Sequence, residues 1–98
     1  MNDQEVEKEI QDKGLTAPRI TPDQVDKPII GEDYYVFPGT TVTIALLKLE
    51  NEFSVTGESA CASPENFDAE LGKKIARQNA VDKLWPLMGY ALKETLGG

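Results

Sequence analysis

Two β-rich runs that meet at Asn51-Glu52, followed by a long helical stretch, constrain the fold of this chain more than any other feature. Residues 53–60 alternate between apolar and polar side chains, which is typical of a half-exposed strand. Residues 41–49 are apolar on both alternating faces beyond Thr43, which predicts partial burial on both sides. The pattern predicts a β-hairpin, although Glu52 suits a tight turn poorly and leaves a longer loop open.

The stretch after the hairpin predicts a long helix that begins at Ser63-Pro64-Glu65, where a capping hydroxyl precedes a first-turn proline and an acidic residue. Apolar side chains then recur at helical spacing, at Phe67, Leu71, Ile75 and Leu84. Pro86 predicts the helix end, because a residue before proline is disfavoured in helical conformation. A short last helix over residues 87–96 is expected to turn four side chains to the core: Leu87, Tyr90, Ala91 and Leu96.

The chain before the hairpin divides into a tail and a short helix. Residues 1–20 are predicted to be a flexible or partner-docked tail, because two apolar residues, Val6 and Ile10, cannot stabilise a short helix in water. Thr21-Pro22-Asp23-Gln24 has the pattern of a capping box and predicts a helix start. That helix is expected to carry an apolar stripe of Val25, Ile29 and Ile30, and Pro28 is expected to shorten or kink it. Residues 34–37 suggest a third strand.

Together these elements predict one α+β domain over residues 21–96. The expected order is a short helix, a β-hairpin with a possible third strand, a long helix and a short C-terminal helix. The helices should pack on one face of the sheet. A chain of 98 residues leaves room for one such domain.

The charge of the chain bears on the partners that it can have. The net charge is −7, and residues 1–63 hold the whole excess, with 12 acidic and 5 basic side chains. Because the chain as a whole is negatively charged, it does not attract phosphate groups, so neither nucleic acid nor an anionic membrane is an expected partner. The excess favours solubility, or a negative surface that competes for a basic partner. The longest apolar run, residues 44–47, is far shorter than the roughly 20 residues of a membrane span.

The residue types available argue against catalysis. The chain has no histidine and one cysteine, Cys61. Gly57-Glu58-Ser59-Ala60 resembles part of an esterase nucleophile elbow, but the final glycine is missing and no histidine can act as the base. General acid–base catalysis most often uses histidine as well. We therefore expect a protein that is not an enzyme, with no cofactor and no metal site.

Two groups of side chains on the long helix are candidate binding residues. The first could form a small-ligand or partner pocket at the proline break, with an amide, an ion pair and two aromatic rings: Asn79, Asp82, Lys83, Trp85 and Tyr90. Purely structural roles for them, such as Asn79 at a sheet edge and Trp85 in the core, are also open. The second group is basic and would serve a module similar to a double-stranded-RNA-binding domain: Lys73, Lys74 and Arg77.

Four segments carry a family resemblance: Phe37-Pro38-Gly39-Thr40-Thr41-Val42-Thr43, Asn51 with Phe53-x-Val55-Thr56-Gly57-Glu58-Ser59-Ala60-Cys61, Asn66-Phe67-Asp68 and Gly72-x-x-Ile75-Ala76-x-x-Asn79-Ala80-x-Asp82-Lys83-x-Trp85-Pro86-Leu87-x-Gly89-Tyr90. Over about residues 17–96 the chain resembles the small tailed-phage protein family named for gene 49 of a coliphage and gene 66 of a Shigella phage. Glu52 departs from the glycine that this family usually has after the asparagine. The resemblance implies a phage or prophage origin and a setting in the host cytoplasm, and it implies no activity.

Three functions follow as hypotheses. The first is a non-enzymatic phage accessory protein that binds a host protein, blunting a defence or redirecting a host process. The second is a nucleic-acid-binding module. The third is a small-ligand-binding protein, such as one that sequesters nucleotide signals. A homodimer is also expected, because residues 53–60 carry no proline or lysine to guard a sheet edge, and Ala45, Leu47 and Leu49 add apolar surface.

Overall fold

The computed structural model describes residues 2–15 and 17–97. The helices are α1 (Asp3–Asp12), α2 (Pro22–Asp26) and α3 (Ala69–Thr95), with one 3-10 turn at Pro64–Asn66. The strands β1 (Ile29–Val36), β2 (Thr43–Leu49) and β3 (Ser54–Ser59) form an antiparallel sheet in the order β1-β2-β3. The α+β prediction is confirmed.

Strands β2 and β3 form the predicted hairpin, with Leu47 opposite Val55 and Ala45 opposite Gly57. The Asn51 side chain accepts a hydrogen bond from the Phe53 backbone N–H at 3.0 Å, which holds the loop between the strands. Glu52 adopts the left-handed conformation, with φ of 73°. The positive φ therefore falls on the glutamate, the position where a glycine would have fitted without strain.

The third strand is confirmed but begins earlier than predicted. The capping box at Thr21 and Gln24 starts α2 as expected, yet α2 ends at Asp26, and Ile29 and Ile30 belong to β1 instead of the helix. Pro28 explains the difference, because it has no backbone N–H to continue the helix.

Helix α3 departs from the prediction at both ends. Asp68 caps it by accepting a hydrogen bond from the Leu71 backbone N–H at 3.1 Å, whereas the Ser63 side chain makes no capping bond, so the predicted start at Ser63 is wrong. The helix then continues through Pro86 to Thr95, so the separate C-terminal helix is also wrong.

The core lies between α3 and one face of the sheet, as predicted. Its buried members come from α2, β2, β3 and α3: Val25, Leu47, Leu49, Val55, Ala80, Val81 and Leu84. Gly57 brings β3 into backbone contact with α3, because a Cβ added there would lie 2.2 Å from the Ala80 nitrogen and 2.4 Å from the Ala76 oxygen. Small residues at this crossing let the helix lie close against the sheet.

Two expectations about apolar side chains are corrected. Ala45, Leu47 and Leu49 are buried beneath α3, so they do not form the exposed face assumed for the dimer. Leu87, Tyr90 and Leu96 were expected in the core, but they are 48%, 71% and 56% exposed. The last turns of α3 extend beyond the sheet surface that would have covered them.

Residues 1–20, predicted as a flexible or partner-docked tail, include the helix α1, and residues 1 and 16 lie outside the described part of the chain. Asn2 caps α1 by accepting a hydrogen bond from the Glu5 backbone N–H at 2.8 Å. Helix α1 contacts α2, and its Asp3 accepts a hydrogen bond from Trp85 on α3. That residues 1–20 are flexible or docked on a partner in solution remains a prediction.

Candidate functional site

The structure does not bring the five predicted binding residues of α3 together. Asn79 donates a hydrogen bond to the Glu58 backbone oxygen at 2.7 Å, so its amide is engaged at the β3 edge. Helical spacing of 100° per residue places Lys83 and Tyr90 on the same side of α3 as Asn79, whereas Asp82 and Trp85 turn away from it. The five residues therefore belong to two different surfaces.

Asp82 and Trp85 lie instead beside the N-terminal helix. The Trp85 indole donates a hydrogen bond to the Asp3 carboxylate at 3.2 Å. The Gln78 amide donates to Asp82 at 2.8 Å and, at a longer 3.4 Å, to the same Asp3 oxygen that accepts from Trp85. Asp3 and Gln78 were missed by sequence reasoning, because nothing local indicates that residues 3 and 85 are neighbours.

An apolar crevice of about 250 Å³ lies between α1 and the rest of the domain. Its walls combine the inner side of α1 with residues from the α2 start and from α3: Asp3, Val6, Glu7, Ile10, Ile20, Pro22 and Trp85. Val6 is 43% exposed, so α1 covers this surface incompletely. We call this feature the Trp85 crevice.

One residue in the wall of the Trp85 crevice, Glu7, belongs to an ion pair. Glu7 is buried and contacts the Arg19 guanidinium in a close hydrogen-bonded pair. Gln11 adds a hydrogen bond to the same carboxylate at 2.9 Å. Because a buried carboxylate is costly without partners, these contacts tie α1 to the residues that precede α2.

Two of the three basic residues predicted to grip nucleic acid contact the protein itself. The Arg77 guanidinium contacts Glu32 at 2.5 Å and Asp26 at 3.5 Å. The hydrogen bond from Arg77 lowers the pKa of Glu32 below its usual value. Lys73 lies over the Tyr34 ring, with its ammonium 5.9 Å from the ring centre, while Lys74 points to solvent. This set is therefore not a free basic stripe of the kind that grips phosphates.

The serine singled out in the sequence is also engaged. The Ser59 hydroxyl donates a hydrogen bond to the Gly72 backbone oxygen at 2.7 Å and so ties the end of β3 to the first turns of α3. Cys61 is partly exposed, and its thiol donates to the Ser63 backbone oxygen at 3.2 Å. Both side chains thus hold the connection between sheet and helix.

The face of the sheet opposite α3 carries exposed apolar side chains. The Tyr35 and Phe37 rings pack edge to face with centroids 4.8 Å apart, and Tyr35 is directly opposite Ile44 on β2. Leu46 follows Ile44 on this face two residues along the strand. Tyr35 is 54% exposed and Phe37 is 42% exposed, while Ile44 and Leu46 are half-buried. We call this surface the open face.

Polar and charged groups border the open face. Lys48 on β2 forms an ion pair with Asp33 on β1 at 2.8 Å. On β3, Thr56 lies opposite Leu46 and Glu58 lies opposite Ile44. An apolar centre with a polar rim is the usual composition of a protein–protein interface.

The comparisons with known proteins identify the family but not an activity. The model of the Phage protein (N4 Gp49/phage Sf6 gene 66) family matches residues 20–96. The chain belongs to this family. Membership indicates a phage accessory protein, and α1 lies outside the matched range while the whole sheet and α3 lie within it. No curated protein and no solved structure matched the chain.

Within residues 2–15 and 17–97, no helix is both long enough and apolar enough to cross a membrane. The same residues include no group of three or more cysteine, aspartate and glutamate side chains placed to hold a metal ion.

Proposed function

We propose that this chain is a non-enzymatic phage accessory protein that binds a host protein through its open face. The observation that carries the proposal is the uncovered pair Tyr35 and Phe37 beside Ile44 and Leu46. Contiguous exposed apolar surface with a polar border marks interaction sites in soluble proteins. The phage family and the lack of histidine support a role in binding, and the proposal places the protein in the host cytoplasm.

The rigidity of the open face favours recognition of a protein. Its side chains stand on two adjacent strands of one sheet, and the other side of that sheet is fixed by the core. Aromatic side chains already held in place lose little conformational entropy on binding, which is why tyrosine and phenylalanine recur at interface centres. Blunting a host defence and redirecting a host process are both compatible with this chemistry.

Affinity capture from host lysate tests the proposal. The tagged wild-type chain is compared with a Tyr35→Thr/Leu46→Thr variant, in which threonine keeps β propensity while removing apolar surface. A Leu87→Gln/Tyr90→Gln variant is the matched control, because it removes exposed apolar groups from α3 instead.

We expect a saturable protein partner that the wild type and the control retain and that the open-face variant binds at least tenfold more weakly. Thermal unfolding of each variant shows whether the domain stays folded. Equal capture by all three chains, or no saturable partner, would remove the support for this function.

A second copy of the chain is the competing occupant of the same face. It would cover the same aromatic pair and produce the expected homodimer. Light scattering at micromolar concentration distinguishes the two, because a monomer has a mass of 10.8 kDa and a dimer twice that mass. Leu46→Glu is the variant that should dissociate such a dimer, whereas Leu47→Glu would place a charge in the core.

A further inference from the structure

Two carboxylates beside Trp85 lack a cationic partner in the described part of the chain. Asp3 and Asp82 share the amide of Gln78, and Asp3 also accepts from the indole of Trp85. The ion pairs formed by the described residues use other carboxylates, among them Glu7, which pairs with Arg19. Neutral donors orient Asp3 and Asp82, and no lysine or arginine of the described residues forms an ion pair with either carboxylate.

Asp3 lines the apolar Trp85 crevice, and Asp82 lies next to Asp3 through the Gln78 amide that they share. The crevice volume of about 250 Å³ is below the roughly 300–1,000 Å³ of pockets for drug-sized ligands, so it suits one or two side chains better than a large molecule. Val6, Ile20 and Trp85 supply its apolar walls. An apolar group inside the crevice would therefore bring an attached cation within reach of Asp3 and Asp82.

The geometry points to the Trp85 crevice as a docking site for a short basic segment of a partner protein. One apolar side chain of that segment enters the crevice, and a neighbouring lysine or arginine pairs with Asp3 and Asp82. Lysine and arginine suit this arrangement because their apolar stems can lie along Trp85 while the charge stays at the rim. Cation–π attraction to the indole adds to the ion pair.

Charge complementarity selects a basic peptide over other occupants. Glu5 on α1 adds negative charge, whereas Glu9 is paired with Lys13, and the whole −7 excess of the chain lies in residues 1–63. Such a field raises the association rate of cationic segments and repels phosphates, acidic lipids and acidic peptides. The site is separate from the open face, so either surface can fail its test without the other.

Fluorescence of Trp85, the only tryptophan of the chain, reports binding directly. The probe is an acetylated and amidated 12-residue peptide of leucine, lysine and alanine, with leucines four residues apart. A matched peptide carries glutamine in place of every lysine. We expect a saturable change in Trp85 emission with the lysine peptide and at least tenfold weaker binding of the glutamine peptide.

The variant Asp3→Asn/Asp82→Asn tests the carboxylates while keeping oxygen acceptors for Trp85 and Gln78. We expect this variant to bind the lysine peptide at least tenfold more weakly than the wild type does. A Glu65→Gln/Glu70→Gln variant changes the net charge equally near the start of α3, away from Trp85, and should bind within twofold of the wild type. Ile20→Ala removes one crevice wall without touching a charge and should weaken binding several-fold, which keeps the test decisive if the first variant releases α1.

Three outcomes would overturn the docking site. The first is equal binding of the lysine and glutamine peptides. The second is equal loss of affinity in the carboxylate variant and its charge-matched control, which would indicate attraction to net charge alone. The third is unchanged Trp85 emission at saturating lysine peptide, which would place any binding elsewhere on the protein.

Discussion

At the scale of single residues, Gly57 marks the closest approach of β3 to α3. A methyl group at this position would overlap the backbone of Ala76 and Ala80. Because backbone atoms cannot rotate away as a side chain can, we expect Gly57→Ala to lower the free energy of unfolding by about 3 kcal/mol, at the upper end of overpacking costs. Urea unfolding followed by circular dichroism measures the loss.

Gly89→Ala is the matched control for that prediction. Gly89 lies inside α3, and a Cβ there would have no neighbour within 4 Å among the described residues. The same substitution should therefore stabilise the protein by about 0.5–1 kcal/mol, because alanine is the better helix former. An unchanged unfolding free energy in Gly57→Ala would show that the sheet and helix do not meet at Gly57 as described.

Glu52 carries a conformational cost that one substitution should relieve. Its φ of 73° lies in the left-handed region, which costs a residue with a Cβ roughly 1–2 kcal/mol. Glu52→Gly removes that cost but adds freedom to the unfolded chain, so we expect a net gain of about 0.5–1 kcal/mol in the urea unfolding free energy. Glu50→Gly, two residues earlier in the same loop, should destabilise instead, and a gain there equal to that of Glu52→Gly would contradict the explanation.

At the scale of elements, α3 shows tertiary packing overriding a local signal. Pro86 lacks the N–H that would bond to the carbonyl of Asp82, yet the helix continues for nine residues to Thr95. Leu84 is buried, while Trp85 and Met88 pack against the core on both sides of the proline, so their contacts offset the missing bond.

Pro86→Ala tests this account of α3. The proline is exposed, so alanine should restore the backbone bond without creating a cavity. We expect an increase of about 1–3 kcal/mol in the unfolding free energy, because proline in a helix interior is roughly 3 kcal/mol less favourable than alanine. Calorimetry should show a higher melting temperature, and a decrease would indicate that the kink itself is needed for packing.

The elements that the sequence predicts well are those encoded locally. The period-two alternation of residues 53–60 and the asparagine at the turn specify the hairpin, and the capping box at Thr21 specifies the start of α2. The start of α3 was misplaced because Ser63 and Asp68 are both good capping residues, and in the structure the extended backbone of Phe67 separates the turn after Ser63 from the helix that Asp68 caps.

The candidate site was less predictable for a related reason. Asp82 and Trp85 were identified from their residue types, but their partner Asp3 is about 80 residues away in the sequence. Helical periodicity alone could have separated Asn79 and Tyr90 from Trp85, because they lie on different sides of α3. Contacts between distant segments depend on the folded arrangement, which no short pattern encodes.

At the scale of the whole molecule, one side of the sheet packs against α3 to form the core, and the other side is available for recognition. The core beneath α3 takes its buried residues from α2, β2, β3 and α3, and Ile29 at the start of β1 packs against it. The aromatic pair of the open face lies at the other end of β1, where Tyr35 is in the strand and Phe37 directly follows it. Stability and binding can therefore be changed separately by substitution.

Photo-cross-linking at Tyr35 tests the central claim most directly. Tyr35 is replaced by photoreactive benzoylphenylalanine in the full chain, expressed in host cells, and Tyr90 is replaced in a matched control because it is also an exposed tyrosine. The account predicts a discrete adduct with a host protein from position 35 and none of comparable yield from position 90. An adduct of twice 10.8 kDa would instead assign the open face to a second copy of the chain. No discrete adduct from position 35, or the same adducts from both positions, would contradict the claim that the open face is the recognition surface.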